Sequence, residues 1–281
     1  MPSFSTIRTF LVVLMGSAIL LSCQKEIDWG TTASDQLLVK VIAKSGVSDS
    51  VVTIYSYNAQ RKLIREQAVT VAAGLPPVQT ELTINRDASG VITSSVQKSP
   101  DLAAAGIDSL VTRYNYSNSK YTAGIFSLTA MGFSFTDSAV YTYDANNRII
   151  SDQHFLKTAL FPLTIPILKN DYSYSADGKN VIQQDQSAPA APGGPLAQVS
   201  AQTYTHDAKI NPLVLLQEAI ILNRTNWFNA SNVLISRLTN TLDPTQNQTI
   251  DNTYRYNTAN KPDSLFSIQG GLLTTSKFYY Q

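Results

Sequence analysis

Few side chains in this 281-residue chain could carry catalysis. The two histidines, His154 and His206, have no second cysteine nearby and no ligand partner at the spacing that zinc sites use. A Ser-x-x-Lys tetrad at 95–98 lies in a strand-like stretch, whereas penicillin-recognising enzymes need its serine at the start of a helix. No Gly-x-Ser-x-Gly, P-loop or dinucleotide-binding fingerprint occurs. We therefore predict no catalytic residues, no metal site and no cofactor.

Carboxylates offer a second route to chemistry, because a glycosidase needs two of them facing each other. Asp144, Asp177 and Asp207 fall at turns, where aspartate is expected for backbone reasons alone. The alternative that stays open is a sugar-active or other hydrolase whose site is assembled from loop inserts at 154–169 and 187–196.

Cys23 is the single cysteine, and its position indicates lipidation. The apolar run at 10–21 is too short to span a bilayer, which takes about 20 residues, but it fits a signal peptide. Leu20-Leu21-Ser22-Cys23 resembles a bacterial lipobox. We expect a signal peptide at 1–22, a lipidated tether at 23–34 and a single repeat-built β domain at 35–281. An ordinary signal peptide followed by a chance cysteine is the alternative.

The residues after Cys23 and the charge balance indicate location and partners. The stretch 24–28 resembles the short acidic export signal of Bacteroidota lipoproteins, which implies an outer-membrane protein facing outward. Removing residues 1–22 deletes one arginine and leaves 20 basic and 20 acidic side chains. A nucleic-acid binder would show a basic excess. The expected partners are therefore the membrane, through the lipid anchor, and a glycan or protein.

The elements that must position any site are tyrosine-rich hairpins. In the stretch 137–153, Tyr141 and Tyr143 sit two apart and share one face of a strand. Asp144-Ala145-Asn146-Asn147 supplies a turn, and a second β-rich run follows. Equivalent anchors at 55, 84, 114, 141, 172 and 204 lie 29, 30, 27, 31 and 32 residues apart, which indicates a repeated supersecondary unit.

These repeats predict an all-β fold, an antiparallel meander of tandem β-hairpins with one short helix. The helix is expected over 212–222, where Asn211 would cap it, Pro212 would open it and Asn223 would end it. Whether the sheet stays open, folds on itself or closes is left undecided. The inserts at 68–77 and 187–196 are expected not to pair, and 154–169 to be an edge segment or a loop over the core.

The pattern Tyr-x-Tyr-Asp, followed by a turn and a basic-aliphatic pair, resembles the YD repeat of RHS-type proteins. Together with the lipobox, it is similar to Bacteroidota surface lipoproteins of unknown function that carry such repeats. The chain departs from the pattern at Ile84, Arg86 and His206, where tyrosines are expected, so these copies should be irregular. The resemblance implies location and architecture and no activity.

The second aromatic position of the repeats allows two interpretations. Exposed, these tyrosines would form a ladder that stacks on sugar rings. Packed across strands, they would hold neighbouring hairpins together, which is the interpretation we favour. We then expect Tyr143→Ala and Tyr174→Ala to destabilise the fold more than changes at Tyr279 or Tyr280. The candidate ladder comprises Tyr57, Tyr116, Tyr143, Tyr174 and Tyr256.

Four triplets of Asp, Ser and an aliphatic residue resemble the site of Bacteroidota O-glycosylation. The alternative is that Asp-Ser simply begins a strand after a turn. The candidate acceptors are Ser50, Ser109, Ser138 and Ser264. The leading function from the sequence is a non-catalytic surface module that binds a glycan, a peptide or a partner protein.

Overall fold

The computed structural model describes residues 36–46, 48–130, 133–158, 163–213, 215, 217–224 and 227–281. The signal peptide, Cys23 and the tether lie outside these residues. Sixteen strands are present in the described part. They are β1 (Leu38–Ser45), β2 (Asp49–Tyr57), β3 (Leu63–Val71), β4 (Val78–Arg86), β5 (Ile92–Lys98), β6 (Leu110–Ser117), β7 (Lys120–Ala130), β8 (Phe133–Tyr143), β9 (Ile149–Thr158), β10 (Ile165–Tyr174), β11 (Val181–Pro189), β12 (Leu196–Ile210), β13 (Ser231–Asn240), β14 (Gln248–Tyr256), β15 (Pro262–Gln269) and β16 (Leu272–Tyr280).

The strands form one closed barrel. Each pairs antiparallel with its neighbours in sequence, and β16 returns to pair with β1, where Phe278 lies opposite Val41. The predicted all-β antiparallel meander is confirmed. The sequence left open whether the sheet stays open, folds on itself or closes, and the structure shows that it closes. A closed barrel has no sheet edge, which removes the unpaired backbone groups that would invite aggregation.

Each repeat of about 30 residues is one pair of strands. The first anchors lie on the even-numbered strands β2, β4, β6, β8, β10 and β12, and all of them are buried in the barrel interior. The even strands run in the same direction, so their Tyr-Asp turns gather at one end of the barrel. We call this the plugged end, for a reason given below, and the opposite end the loop end.

The outer wall of the barrel carries charged and polar side chains together with exposed apolar ones, among them Ile54, Val140, Ile268 and Leu273. Directly paired residues on antiparallel strands share a face, so the strand register assigns each side chain to the lumen or to the outside. The outside carries ion pairs, among them Arg65 Nη2 to Glu81 Oε2 at 2.5 Å and Lys169 Nζ to Asp171 Oδ1 at 2.7 Å. Membrane-spanning barrels carry an apolar band on the outside and have a polar lumen. The ion pairs on the outer wall of this barrel are a difference from that pattern.

The lumen is filled at the plugged end by the connection between β12 and β13, whose described residues, 211–213, 215, 217–224 and 227–230, we call the plug. Its side chains join the strand residues in one hydrophobic core. Trp227 and Leu213 are fully buried there, as are the wall residues Leu38, Leu63 and Ile149. The plug therefore closes this end of the barrel.

Two short α-helices occur among the described residues. Helix α1 (Pro100–Ala104) lies at the loop end and was not predicted; Ser99 caps it by accepting from Leu102 N at 3.2 Å. Helix α2 (Gln217–Ile221) lies in the plug and is shorter than the predicted span of 212–222. No helix in the described ranges is long and apolar enough to cross a membrane.

The predicted start of the plug helix was wrong, and its predicted end was right. Asn211 does not cap the helix, because its side chain donates to the carbonyl oxygens of Asn229 and Ser231. Asn223 follows the helix with φ 54°, a left-handed conformation that asparagine tolerates and that commonly ends a helix.

The inserts pair more than expected. Ala68 lies opposite Thr80 in β3 and β4, and Ser187 lies opposite Gln198 in β11 and β12, so only 72–77 and 190–195 are loops. In the insert 154–169, residues 154–158 belong to β9 and 165–169 to β10, so these paired residues form neither an edge segment nor a loop over the core. All three hairpins turn at the loop end.

Candidate binding site in the barrel lumen

A cavity of about 190 Å³ lies in the lumen above the plug. Residues 220–224 form its floor, and strands β4 to β10 supply its wall. Two side chains on the wall, Asp137 and His154, are 24% and 26% exposed, so solvent reaches the cavity. Because the core of the plug is buried, solvent enters the cavity from the loop end, as far as the described residues show its path.

The polar feature of the wall is a histidine held between two carboxylates, which we call the His154 cluster. Its Nδ1 lies 3.0 Å from Asp137 Oδ2, and its Nε2 lies 3.0 Å from Asp152 Oδ2. Asn170 Nδ2 donates to Asp152 at 3.0 Å, and the Tyr172 hydroxyl also donates to that carboxylate. Each of these side chains points inward because its residue pairs with another lumen position.

The cluster favours a charged imidazole. Burial alone would lower the pKa of His154, but the hydrogen bonds and negative charges of Asp137 and Asp152 outweigh it and raise the pKa to about 10. His154 is therefore an imidazolium at neutral pH, with both ring N–H groups donated to carboxylates.

This arrangement is unsuited to acid–base catalysis. A general base needs a free nitrogen within reach of the proton that it removes, and both nitrogens of His154 are engaged. A pKa of about 10 also leaves little neutral imidazole at pH 7. No group of three or more His, Cys, Asp or Glu in the described ranges has the geometry of a metal site.

Aromatic rings line much of the remaining wall. Tyr114 and Tyr141 are buried, and burial raises the pKa of Tyr114 to about 12, so it stays protonated. Gly124 makes room for them, because a Cβ at this position would lie 2.7 Å from the Tyr141 hydroxyl and 3.3 Å from the Tyr114 ring. The cavity thus combines flat apolar surfaces with a few polar groups, as small-molecule sites do.

The structure places the predicted tyrosine ladder away from this cavity, at the plugged end. Tyr57 and Tyr143 donate their hydroxyls to the backbone oxygens of Leu38 and Tyr121 on the preceding strand, at 2.6 and 2.8 Å. Tyr174 donates to Ile149 O in the same way, and Tyr256 donates to Asp207. Tyr116 is 44% exposed. These contacts favour packing between strands over stacking on a sugar.

The irregular repeats are the positions where the plug docks. Arg86 stands where a tyrosine is expected and makes the same kind of hydrogen bond to the preceding strand, because its Nε donates to Leu63 O at 3.1 Å. Its two terminal nitrogens also bind the Glu218 carboxylate of the plug at 2.8 and 2.7 Å. His206 lies beside the plug residue Asn229, and burial lowers its pKa. Replacing tyrosine at these positions creates contacts with the plug.

The candidate glycosylation serines lie on the outside. Ser50, Ser138 and Ser264 belong to strands and face outward, and Ser109 immediately precedes β6. None of the four is buried. Their modification remains a prediction, and so does lipidation of Cys23, which lies outside the described residues.

Sequence reasoning missed the carboxylates of the His154 cluster. Asp137 was noted only as the residue before Ser138, and Asp152 was not singled out at all. One signal was present: Asp152 and His154 sit two apart on a strand, so they share a face. The contribution of Asp137 depends on the register of β8 against β9, which no local pattern specifies.

Fold and cavity together define a 16-stranded meander barrel with a plugged end and a cavity in its lumen. Several solved structures share this fold, including two from Bacteroides. One is a porin-like protein from Bacteroides uniformis ATCC 8492, with a TM-score of 0.52 and 12% identity over 89% of this chain and 99% of that chain. The other is a porin-like protein from Bacteroides vulgatus ATCC 8482, with a TM-score of 0.53 and 10% identity over 87% and 99%.

At these identities the likeness is one of fold alone. No family model matches the sequence, and no curated protein matches it. The similarity to YD repeats therefore remains a resemblance of sequence pattern.

Proposed function

We propose that this protein is a non-catalytic, lipid-anchored barrel of the outer-membrane surface that binds a small molecule in its lumen. The observation that carries the proposal is the solvent-accessible cavity of about 190 Å³, lined by aromatic rings and the His154 cluster. A dry cavity of about 150 Å³ holds a molecule the size of benzene, so this space fits one ring with its substituents. That size favours a small ligand over a glycan chain or a protein.

The charged side chains of the outer wall support anchoring by lipid instead of insertion of the barrel. Charged side chains at the bilayer midplane cost about 2–4 kcal/mol each on the lipid-facing side of a barrel, and this wall carries several. Two or three acyl chains on Cys23 would supply stable attachment without insertion. The location is also consistent with the fold shared with porin-like proteins of Bacteroides.

The position of the N-terminus gives the anchored barrel an orientation. Leu37 N donates to Gln281 O at 2.8 Å, so β1 begins at the plugged end. A tether of 12 residues from Cys23 to Ser34 would then attach at that end, and the loop end would open into the medium. Fully extended, such a tether reaches at most about 40 Å.

Replacement of the cysteine tests the location. Cells expressing Cys23→Ala are fractionated, and intact cells of both strains are treated with protease. We expect the variant to leave the membrane fraction and the wild type to be cleaved on intact cells. A Cys23→Ala protein that stays in the membrane would indicate an inserted barrel and would contradict the proposal.

Ligand-observed NMR with a panel of ring-containing fragments tests binding, using the mature Cys23→Ala chain. Thr112 lines the cavity, so Thr112→Trp should fill it and abolish binding of the hits. Thr203 is exposed on the outer wall and gives the matched control, Thr203→Trp, which should bind as before. Hits that survive Thr112→Trp, or a panel without hits, would count against a lumen site.

A further inference from the structure

One side chain on the floor of the cavity sets the charge of the ligand. Arg224 follows helix α2, where its backbone N–H donates to Ala219 O at 2.6 Å and fixes the chain. Its guanidinium lies 5.5 Å from the ring centre of Trp227, which is fully buried. The guanidinium thus packs on a buried ring, and Arg224 is one of the residues that line the cavity.

The guanidinium of Arg224 has few partners of its own. Its Nη1 donates to Asn223 O at 3.4 Å, a long hydrogen bond, and its Nε is buried with no partner. A guanidinium offers five N–H donors. The head of Arg224 therefore retains donors for a group in the cavity.

The carboxyl group nearest in charge interaction to Arg224 compensates its positive charge only in part. Glu66 on β3 points into the lumen, is 8% exposed and has no hydrogen-bond partner at Oε2. No ion pair within 4 Å joins these two described residues. Burial raises the pKa of Glu66 to about 7 against the opposing effect of Arg224, so the carboxyl is partly neutral at pH 7.

Arg86 lies in the same lumen and gives a comparison, because its guanidinium has several hydrogen-bond partners. Its side chain is 3% exposed, binds Glu218 through both terminal nitrogens and donates to two backbone oxygens. Arg224 has none of these partners. The difference marks Arg224 as a group that is available to a ligand.

Resting on the proposed function, we infer that the lumen binds a hydroxylated six-membered ring that bears a carboxylate. The carboxylate pairs with Arg224 on the floor, where a planar guanidinium gives bidentate recognition. The ring packs on Tyr114, Phe126 and Tyr141. A ring hydroxyl donates to Asp137, whose carboxylate has lone pairs beyond the two that face His154.

Two sources share this chemistry, an aromatic hydroxy acid and a sugar acid, so the test has two arms. Each compares an anion with a neutral analogue: 4-hydroxybenzoate with 4-hydroxybenzamide, and glucuronate with glucose. Dissociation constants are measured by calorimetry or NMR at pH 7.5 on the mature Cys23→Ala chain. In at least one arm we expect the anion to bind about tenfold more tightly, because a charge-assisted hydrogen bond is roughly twice as strong as a neutral one.

Substitutions of Arg224 test whether this residue causes the preference for the anion. Arg224→Gln should reduce the anion to the affinity of the neutral analogue and leave the neutral analogue within about twofold. Arg224→Lys should keep part of the preference, since it keeps the charge but loses the planar fork. Arg237→Gln, at an exposed position on the outer wall, is the control and should change nothing.

Several outcomes would overturn the inference. They are equal binding of anion and neutral analogue, a preference that survives Arg224→Gln, and no binding of any of the four probes. None of these touches the proposed function, which the fragment panel and Thr112→Trp test independently. Melting temperatures of all variants confirm that each is folded before affinities are compared.

Discussion

The two ends of the barrel differ although the same strands build both. At the plugged end, tyrosine hydroxyls bind backbone oxygens, and wall residues such as Leu63 and Ile149 are fully buried. At the loop end, Leu75, Leu163 and Leu242 are 66–77% exposed. Stability is thus concentrated at one end, and solvent reaches the lumen from the other.

The difference explains how the lumen of a barrel of this width is filled. Barrels of 16 to 18 strands usually leave an aqueous channel. Here the plug adds the apolar side chains that the wall alone cannot bring together, and the irregular repeats hold it. Closing one end converts a channel into a cavity that is open only at the other end, and such a concave shape is suited to holding a ligand.

The largest expected effect comes from releasing the plug. Arg86→Met leaves Glu218 and two backbone oxygens without their partner, and breaking a buried pair costs about 3–5 kcal/mol. The matched control is Arg65→Met on the outer wall, where the side chain is 43% exposed and the ion pair should contribute under about 1 kcal/mol. Urea unfolding measures both. Equal losses would show that the plug is not what stabilises this end.

Closure of the barrel changes what is expected at the C-terminus. Tyr280 was expected to matter little, at the open end of an array, but β16 pairs with β1 and the Tyr280 hydroxyl donates to Pro262 O at 2.6 Å. Tyr280→Ala should therefore cost about 3 kcal/mol, as much as Tyr143→Ala. Tyr279 faces outward at 36% exposure, and its alanine variant should cost under about 1 kcal/mol. The melting temperatures of the three alanine variants test this order. A Tyr280→Ala variant as stable as the wild type would contradict a closed core.

The plugged end was the more predictable of the two. Tyr-x-Tyr-Asp specifies strand, face and turn within a few residues, so hairpins and their period could be inferred from sequence. Closure could not, because it depends on β16 meeting β1 across more than 200 residues of chain. Arg86 illustrates the limit: its departure from the repeat was visible, but its partner Glu218 lies 132 residues away.

The candidate site was less predictable for the same reason. Asp152 and His154 share a face by local alternation, but Asp137 reaches them only through the pairing of β8 with β9. Arg224 lies in a connection whose helix was predicted at roughly the right place and with the wrong start. Nothing local indicates that this connection enters the lumen.

The His154 cluster predicts a pH dependence of intermediate size. The pKa of His154 is about 10 in the folded protein and about 6.5 when unfolded, so its stabilising effect is complete below pH 6.5 and lost as pH rises toward 10. His154→Gln should cost about 2 kcal/mol at pH 6, and the difference from wild type should shrink between pH 7 and 9. Urea unfolding at these pH values measures it. A difference that is constant with pH would mean that His154 is neutral in the fold.

The smallest expected effect isolates the hydroxyl bond to a backbone oxygen that Tyr57, Tyr143, Tyr174 and Tyr280 make at the plugged end. Tyr143→Phe removes the donor to Tyr121 O and leaves the ring in place, which should cost about 1 kcal/mol. Tyr116→Phe is the matched control, because Tyr116 is 44% exposed and its ring packs edge-on against Tyr121, at 4.9 Å between centroids, without needing the hydroxyl. Its unfolding free energy should stay within about 0.5 kcal/mol of wild type. Since the two residues occupy the same position in successive repeats, equal effects would show that the tyrosines act through their rings alone and that the bond to the preceding strand adds nothing.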